Sequence, residues 1–347
     1  MELCILGAGY MGSALAVLAS DRGHHVRLWG TWLDDGIVAA CRHDEAHPRL
    51  RLKLPAAIEV LPSTELEAAL TGADAVACAV NSDGVLPVLT RALPHLPAQG
   101  PLLSVTKGFV GDATGVIQRI SVVVQQGLLG PAGRSRPFIH IGGPCKAMEV
   151  ARRVSTSVIW ACPDEVACAR WAAQLEAPHY TISRSADLAG VETCSAFKNA
   201  YATASGLCDG LQKIGHPEMY NTKALLFTQA VAEIARMVEA MGGKRETALG
   251  LAGLGDLHVT AAAGRNRAYG ERVGLGEPPD RVAARMAATG ELTEGYPALH
   301  TGWTLLEQVA AAGRLKVADF PLLESLHRIV YGGAEVAPTL AALRVRS

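Results

Sequence analysis

The sequence predicts an α/β protein in two parts: a doubly wound, mostly parallel sheet over residues 1–186, then an all-helical domain over 187–347. Three observations carry that reading. Before residue 187, short apolar runs alternate with helical patterns, as in a chain of βαβ units. The first run leads directly into a glycine-rich turn and a helix. Beyond residue 187, apolar residues recur almost entirely at helical spacing.

Leu3 to Leu6 form the first strand, and Gly7, Ala8, Gly9, Tyr10, Met11 and Gly12 follow it as G-x-G-x-x-G. A helical pattern through Leu15, Val17 and Leu18 ends at Gly23. Strand, fingerprint and helix in that order define a Rossmann-type dinucleotide site. Gly7 suits the tight turn, Gly9 lets backbone approach a pyrophosphate, and Gly12 lets helix and strand pack closely. The helix N-terminus then offers free N–H groups to the phosphates. The second strand, Val26 to Trp29, continues into Gly30 and Thr31, with the nearest acids, Asp34 and Asp35, coming later. NAD sites usually close this strand with an acid on the ribose. A small residue and a hydroxyl, with Arg42, Arg49, Arg51 and Lys53 in the next loop, instead predict some preference for NADP over NAD.

The alternation continues with strands at 74–80, 102–105, 138–141, 157–161 and 180–183, and helices over 84–93 and 164–175. Ligands of such sheets sit off the carboxyl ends of the strands. That places Val80 and Asn81, Thr106 and Lys107, and Gly143 and Pro144 at the ligand edge. At the start of the second part, Asp187 suits a helix N-cap. Lys198 and Asn199 then interrupt an otherwise apolar helix made of Val191, Cys194, Ala196, Phe197, Ala200 and Tyr201. Tyr220 through Met241 reads as one long amphipathic helix stopped by Gly242 and Gly243. Gly250 to Thr260 reads as a glycine-bent loop presenting Asp256 and Thr260, followed by Arg265 and Asn266 among small residues. A guanidinium fork beside an amide matches a phosphate or carboxylate. Further helices are expected over 279–288, 297–311, 319–330 and 336–344.

A net charge of −1 argues against nucleic acid or an anionic membrane as the main partner. Hydrophobic residues make up 49% and charged residues 19%, enough for sizeable cores without a bilayer-length apolar span. The eight cysteines contain no C-x-x-C pair and lie largely in apolar runs, as expected of free thiols in a reducing cytoplasm. No metal-ligand pattern is present. Any anion must be held by local geometry.

Over nearly its whole length the chain resembles the NAD(P)-dependent sn-glycerol-3-phosphate dehydrogenases, looking closest to the archaeal-type branch. The resemblance rests on GAGYMG at 7–12, VRLWG at 26–30, TKG at 106–108, GGP at 142–144, GVETCSAFKN at 190–199, NTKA at 221–224, GLAGLGDLHVT at 250–260, GRNR at 264–267 and TEG at 293–295. It implies a 6-phosphogluconate-dehydrogenase-like helical second domain; the apolar character of that helical domain favours a homodimer. It implies Lys198 as general acid/base, Lys107 as a second cation, and Asp256 and Thr260 positioning substrate and lysine. Asn199 and Gly143 join the substrate site, Arg265 and Asn266 hold the phosphate, and Glu294 borders the cofactor. Hydride delivery to a ketone carbon leaves an alkoxide, which needs a proton and nearby positive charge. Asn81 stands where the family usually has proline, Cys145 and Lys146 follow the Gly-Pro turn, and Thr228-Gln229-Ala230 replaces a common arginine. These departures leave open a different phosphorylated polyol. Ketopantoate- or β-hydroxyacid-type dehydrogenases, and a non-catalytic nucleotide sensor, are the rival readings.

Overall fold

The computed structural model describes residues 1–133, 135–291 and 293–344. The chain divides into two compact units, one made of residues 1–113 and 119–188, the other of 114–118 and 189–347.

The first unit is built on an eight-stranded sheet. Its strands are β1 (Glu2–Leu6), β2 (His25–Trp29), β3 (Ile58–Leu61), β4 (Ala75–Cys78), β5 (Leu102–Ser104), β8 (Phe138–Gly142), β9 (Thr156–Ala161) and β10 (Tyr180–Ser185); the short strands β6 (Phe109–Gly111) and β7 (Ile117–Arg119) lie outside it. The order across the sheet is β3-β2-β1-β4-β5-β8-β9-β10, and only the β8–β9 pair is antiparallel. Leu3 to Leu6 and Ala75 to Cys78 are buried on both faces, so the central strands read as unbroken apolar runs. On the edge strand β10, buried Tyr180 and Ile182 alternate with exposed Thr181 and Ser183. The chain leaves β1 toward β2 and returns on its other side at β4, so the carboxyl ends of β1 and β4 flank the switch point where such sheets bind ligands.

Two glycines make the turn after β1. Gly7 has φ +113°, which only glycine adopts without strain. A Cβ on Gly12 would stand 1.9 Å from the Gly7 carbonyl oxygen, so the helix Tyr10–Asp21 presses on the turn as closely as backbone allows.

Beyond residue 188 the described regular structure of the second unit is helical. Leu188–Tyr201 is followed by Thr203–Lys213, Tyr220–Ala240, Arg245–Leu249, Asp256–Ala262, Arg265–Gly274, Pro279–Ala288, Gly295–Ala311, Pro321–Val330 and Val336–Ala341. Gly250 to Thr260 departs from the open loop expected of it. Residues 251–255 make a wide helical turn that runs straight into Asp256–Ala262. The reason is packing: a Cβ on Gly253 would meet the Ala248 carbonyl oxygen at 2.1 Å, so this glycine seats the turn on the preceding helix. Arg265 opens a helix, Arg265–Gly274.

Thr203–Lys213 and Arg265–Gly274 cross backbone to backbone. Cβ atoms on Gly206, Gly210, Gly270 and Gly274 would fall 2.0 to 2.4 Å from carbonyl oxygens of the facing helix. Each helix contributes a Gly-x-x-x-Gly stripe, the small-residue pattern that allows such an approach.

Candidate active site

The residues singled out by the sequence fall into two sets, one in each unit.

In the sheet unit, Gly7 to Gly12 form the turn off β1, with Ala8 buried and Gly9, Tyr10 and Met11 half-buried. His47, fully buried, braces that turn. Its Nδ1 accepts the backbone N–H groups of Arg49 and Leu50, both at 3.1 Å, so Nε2 carries the proton and is 3.1 Å from the Ala8 carbonyl and 2.9 Å from the Ser13 hydroxyl. Burial pushes the His47 pKa below its ordinary value. The next residue but one, Arg49, holds its guanidinium 5.8 Å over the Tyr10 ring, and the nearest atom to a Cβ built on Gly9 would be its Nη1, at 3.5 Å. The glycine face that would receive a pyrophosphate is thus open except for a cation, which fits a dinucleotide.

The end of β2 differs from the expectation of an acid-free strand end. Asp34 folds back so that its Oδ2 accepts from the Thr31 N–H (3.0 Å), the Thr31 hydroxyl (2.8 Å) and the Ala8 N–H (3.4 Å). A three-residue turn, invisible as sequence spacing, returns the carboxylate to the strand end. Gly30 is required beside it, since a Cβ there would lie 2.3 Å from Val38. Trp29 is fully buried in the core, and its carbonyl accepts the Gly7 N–H. Asn81 is an exposed helix N-cap, accepting from the Gly84 N–H at 3.1 Å, while the Val80 carbonyl accepts the Thr106 hydroxyl. Lys107, half-buried, donates to the Gly143 carbonyl at 3.0 Å. Burial, and then the Lys107 charge, push His140 in β8 down to about 3, leaving it neutral.

In the helical unit, Lys198 is 7% exposed and its Nζ lies 2.5 Å from Oδ1 of fully buried Asp256. Nζ also donates to the Thr260 hydroxyl at 3.1 Å, and that hydroxyl donates to the Asp256 carbonyl one turn back. The i, i+4 spacing of Asp256 and Thr260 puts both on one face of their helix. The lysine is therefore not a snorkelling surface residue. It is held out of water beside its counter-ion, which costs desolvation.

Asn199, Asn266 and Glu294 form a second network. Asn266 donates to the Asn199 side-chain oxygen (3.0 Å), and Asn199 donates to Glu294 (2.8 Å). The Asn266 oxygen accepts the Thr293 hydroxyl (3.1 Å) and the Gly295 N–H (2.9 Å). The two amides and the acid expected at separate ligands are thus joined in one chain, which ties the lysine helix to the start of Gly295–Ala311. Arg265 is half-buried at the start of its helix. The turn before it passes through Ala263, extended at φ −160°, and Gly264 at φ +143°, where glycine is needed.

Two further clusters escape sequence reading. Asp209, 8% exposed, takes Lys223 at 2.5 Å on one oxygen and Arg267 Nε at 2.6 Å on the other. Burial raises its pKa, but those two bonds outweigh it and hold the carboxyl below its ordinary value. Glu233 is fully buried, and four donors reach its two oxygens: Gln229, Tyr201, and the Leu322 and Leu323 N–H groups at 2.7 to 3.0 Å. It caps Pro321–Val330 from a different helix. Both acids lie in runs whose apolar periodicity hides them.

An open glycine turn at the switch point of a parallel sheet, with a buried lysine–carboxylate pair in a helical unit, defines a dinucleotide-dependent dehydrogenase architecture. Family models narrow the class: residues 2–168 match the N-terminus, and residues 187–341 the C-terminus, of NAD-dependent glycerol-3-phosphate dehydrogenase. The chain belongs to that family. It is 36% identical over 344 residues to the NADP(+)-dependent glycerol-3-phosphate dehydrogenase of Archaeoglobus fulgidus, covering 99% of both chains. It is 32% identical to the glycerol-3-phosphate dehydrogenase [NAD(P)+] of Thermus thermophilus, over 100% of this chain and 98% of the other. The solved glycerol-3-phosphate dehydrogenase of Coxiella burnetii superposes with a TM-score of 0.82 at 28% identity, covering 98% and 97% of the two chains. Among the described residues, no helix is long and apolar enough to cross a membrane.

Proposed function

We propose that the protein is an NAD(P)-dependent oxidoreductase that interconverts dihydroxyacetone phosphate and sn-glycerol 3-phosphate, with Lys198 as general acid/base. The observation that carries this reading is the buried Lys198–Asp256–Thr260 cluster, in a chain of this family. When bound, the nicotinamide supplies or accepts the hydride. The glycine turn and the end of β2 would hold the dinucleotide, together with Val80, Asn81, Lys107 and Glu294. Lys198 gives its proton to the carbonyl oxygen as charge develops there and takes it back in the reverse direction. Asp256 aims the ammonium. Thr260 fixes its third dimension by accepting one N–H while its own proton is committed to the helix backbone. Lys107 and Gly143 serve the substrate end of the sheet unit, and Arg265 holds the phosphate.

The end of β2 supports NADP over NAD, because Asp34, the acid nearest to where the ribose hydroxyls would lie, is already engaged by three donors. The eight free cysteines, mostly buried, support a cytoplasmic site, and a homodimer goes with the same reading.

The deciding experiment follows NADPH oxidation with dihydroxyacetone phosphate and with unphosphorylated dihydroxyacetone, using the native protein and Arg265→Lys. The native protein should strongly prefer the phosphorylated ketone, since remote binding energy is expressed in kcat as well as KM. Arg265→Lys should impair the phosphorylated substrate selectively. Equal losses on both would make Arg265 structural and remove the phosphate from the reading.

A further inference from the structure

The proton site and the anion site sit on consecutive helices, Asp256–Ala262 and Arg265–Gly274, joined by a two-residue turn. Such a turn is weak as a spacer. Ala263 and Gly264 are exposed, and Gly264 has the conformational freedom of its type. The Asn266–Asn199 bond ties the Arg265 helix to the lysine helix; the distance from Arg265 to Asp256 and Thr260 depends also on what braces the turn.

One side chain spans the turn. Arg267 donates from Nη1 to the Ala262 carbonyl at 2.5 Å, which is the last carbonyl of the helix bearing Asp256 and Thr260. Its Nε donates to Asp209 at 2.6 Å. Asp209 belongs to Thr203–Lys213, whose glycine stripe lies backbone to backbone against Arg265–Gly274. The same carboxylate takes Lys223 from Tyr220–Ala240, and Lys223 also donates to Gln212 at 3.1 Å. A single acid thus anchors the guanidinium that closes the turn. Arginine suits the task because its planar fork makes two bonds in fixed directions, which a lysine cannot do.

We propose that Arg267 and Asp209 are positioning residues that set the spacing between the Lys198–Asp256–Thr260 cluster and Arg265, and so select the length of the phosphorylated ketone. This rests on the proposed role of Arg265 as the phosphate holder. A fixed spacing places the carbonyl of a three-carbon ketose phosphate at the lysine and displaces that of a ketose with an extra carbon between carbonyl and phosphate. Loosening the turn lets the anion site drift, which costs the short substrate its alignment and lets a longer one be accommodated. Small misplacements of this kind weigh heavily on rate, because reacting groups tolerate little error in approach.

The test measures kcat/KM for dihydroxyacetone phosphate and for a four-carbon ketose phosphate, erythrulose 4-phosphate, whose carbonyl lies one carbon further from the phosphate, in the native protein and in Arg267→Lys. The ratio of the two should fall at least tenfold in the variant, chiefly through kcat on the shorter substrate. A purely structural role would lower both substrates together, and a ratio within threefold of the native value overturns the proposal. Asp209→Asn repeats the measurement from the other side of the pair and decides the matter should Arg267→Lys fail to fold. Arg265→Lys on phosphorylated and unphosphorylated substrate, run in parallel, separates this idea from the one beneath it. If Arg265 discriminates the phosphate and Arg267→Lys leaves the length ratio unchanged, only the spacing role fails.

Discussion

At the level of single residues, Lys198 and His47 show how burial turns an ordinary side chain into a specific one. Lys198→Ala removes the proposed proton donor and leaves the glycine turn in the other unit untouched. Its kcat should drop by about 10²- to 10⁴-fold, the usual range for losing a general acid, while NADPH affinity by fluorescence titration stays near native. A variant that retained native turnover would transfer the acid role elsewhere. His47 works through its tautomer: two backbone N–H groups point at Nδ1, so a second ring proton has no acceptor there. Its pKa is depressed in the fold. The stability it contributes is therefore complete above the free histidine value of about 6.5 and is lost as pH falls through the lower, folded value. The melting temperature of the native protein should decline more steeply from pH 7.5 to 5.5 than that of His47→Phe. Parallel curves would show that the ring's titration does not matter.

Legibility at this level depended on locality. The glycine turn could be read because every residue it needs lies within six positions. Lys198 could be singled out because a lysine in an apolar helix is anomalous. Asp34 could not be placed, because its effect depends on a turn that folds it back onto Thr31. Asn266 is marked as a ligand amide by its neighbour Arg265, while its hydrogen-bond partners, 67, 27 and 29 positions away, leave no local signal.

Among the helices, the contacts that matter most are those that periodicity conceals. The pattern of Tyr220 to Met241 is legible as amphipathic, yet Glu233 sits fully buried within it. Such an acid is tolerated because every lone pair is met and because it serves a helix whose own N-cap, Phe320, has no side chain to offer. Glu233→Ala would strand two backbone N–H groups and the Tyr201 hydroxyl. A loss of roughly 2–4 kcal/mol is expected from a missing cap and unsatisfied buried donors, against about 1 kcal/mol for Tyr201→Phe. Denaturant titration of both variants checks the ordering, and equal losses would refute it. The glycine crossing gives a sharper case. A Cβ on Gly270 would lie 2.1 Å from the Thr203 carbonyl oxygen, with no flexible side chain to yield. Gly270→Ala should cost about 1–3 kcal/mol through overpacking, despite alanine's better helix propensity. A stabilised variant would mean that the helices are not in contact as described.

For the whole molecule, fold class was more legible than site detail. Alternating apolar runs announce a layered sheet, and their replacement by helical spacing near residue 187 announces a second architecture. Those signals are averages over many residues. The helical turn over 251–255 depends on a single glycine, Gly253, that packs instead of bending, which averages cannot distinguish. Cofactor choice is tested on the intact protein by linkage. A ligand that binds only the native state stabilises it by RT ln(1 + [L]/Kd), about 2.7 kcal/mol at a hundredfold excess over Kd. At equal concentrations NADPH should therefore raise the melting temperature more than NADH. The opposite order would assign the ribose to Asp34 and remove the preference for NADP.

The crossing of Thr203–Lys213 on Arg265–Gly274 has a mechanical consequence as well. Side chains act as springs between most helices, because rotamers can shift and absorb strain. Here four glycines remove the springs, and main chain rests on main chain. The pair should behave as one stiff beam, with Arg265 at one end. Thermal agitation elsewhere in the helical unit would then reach the guanidinium as a rigid displacement and not as local fraying. Amide hydrogens in the middle of both helices should exchange among the slowest in the unit, with nearly identical protection, because neither helix can open without lifting the other.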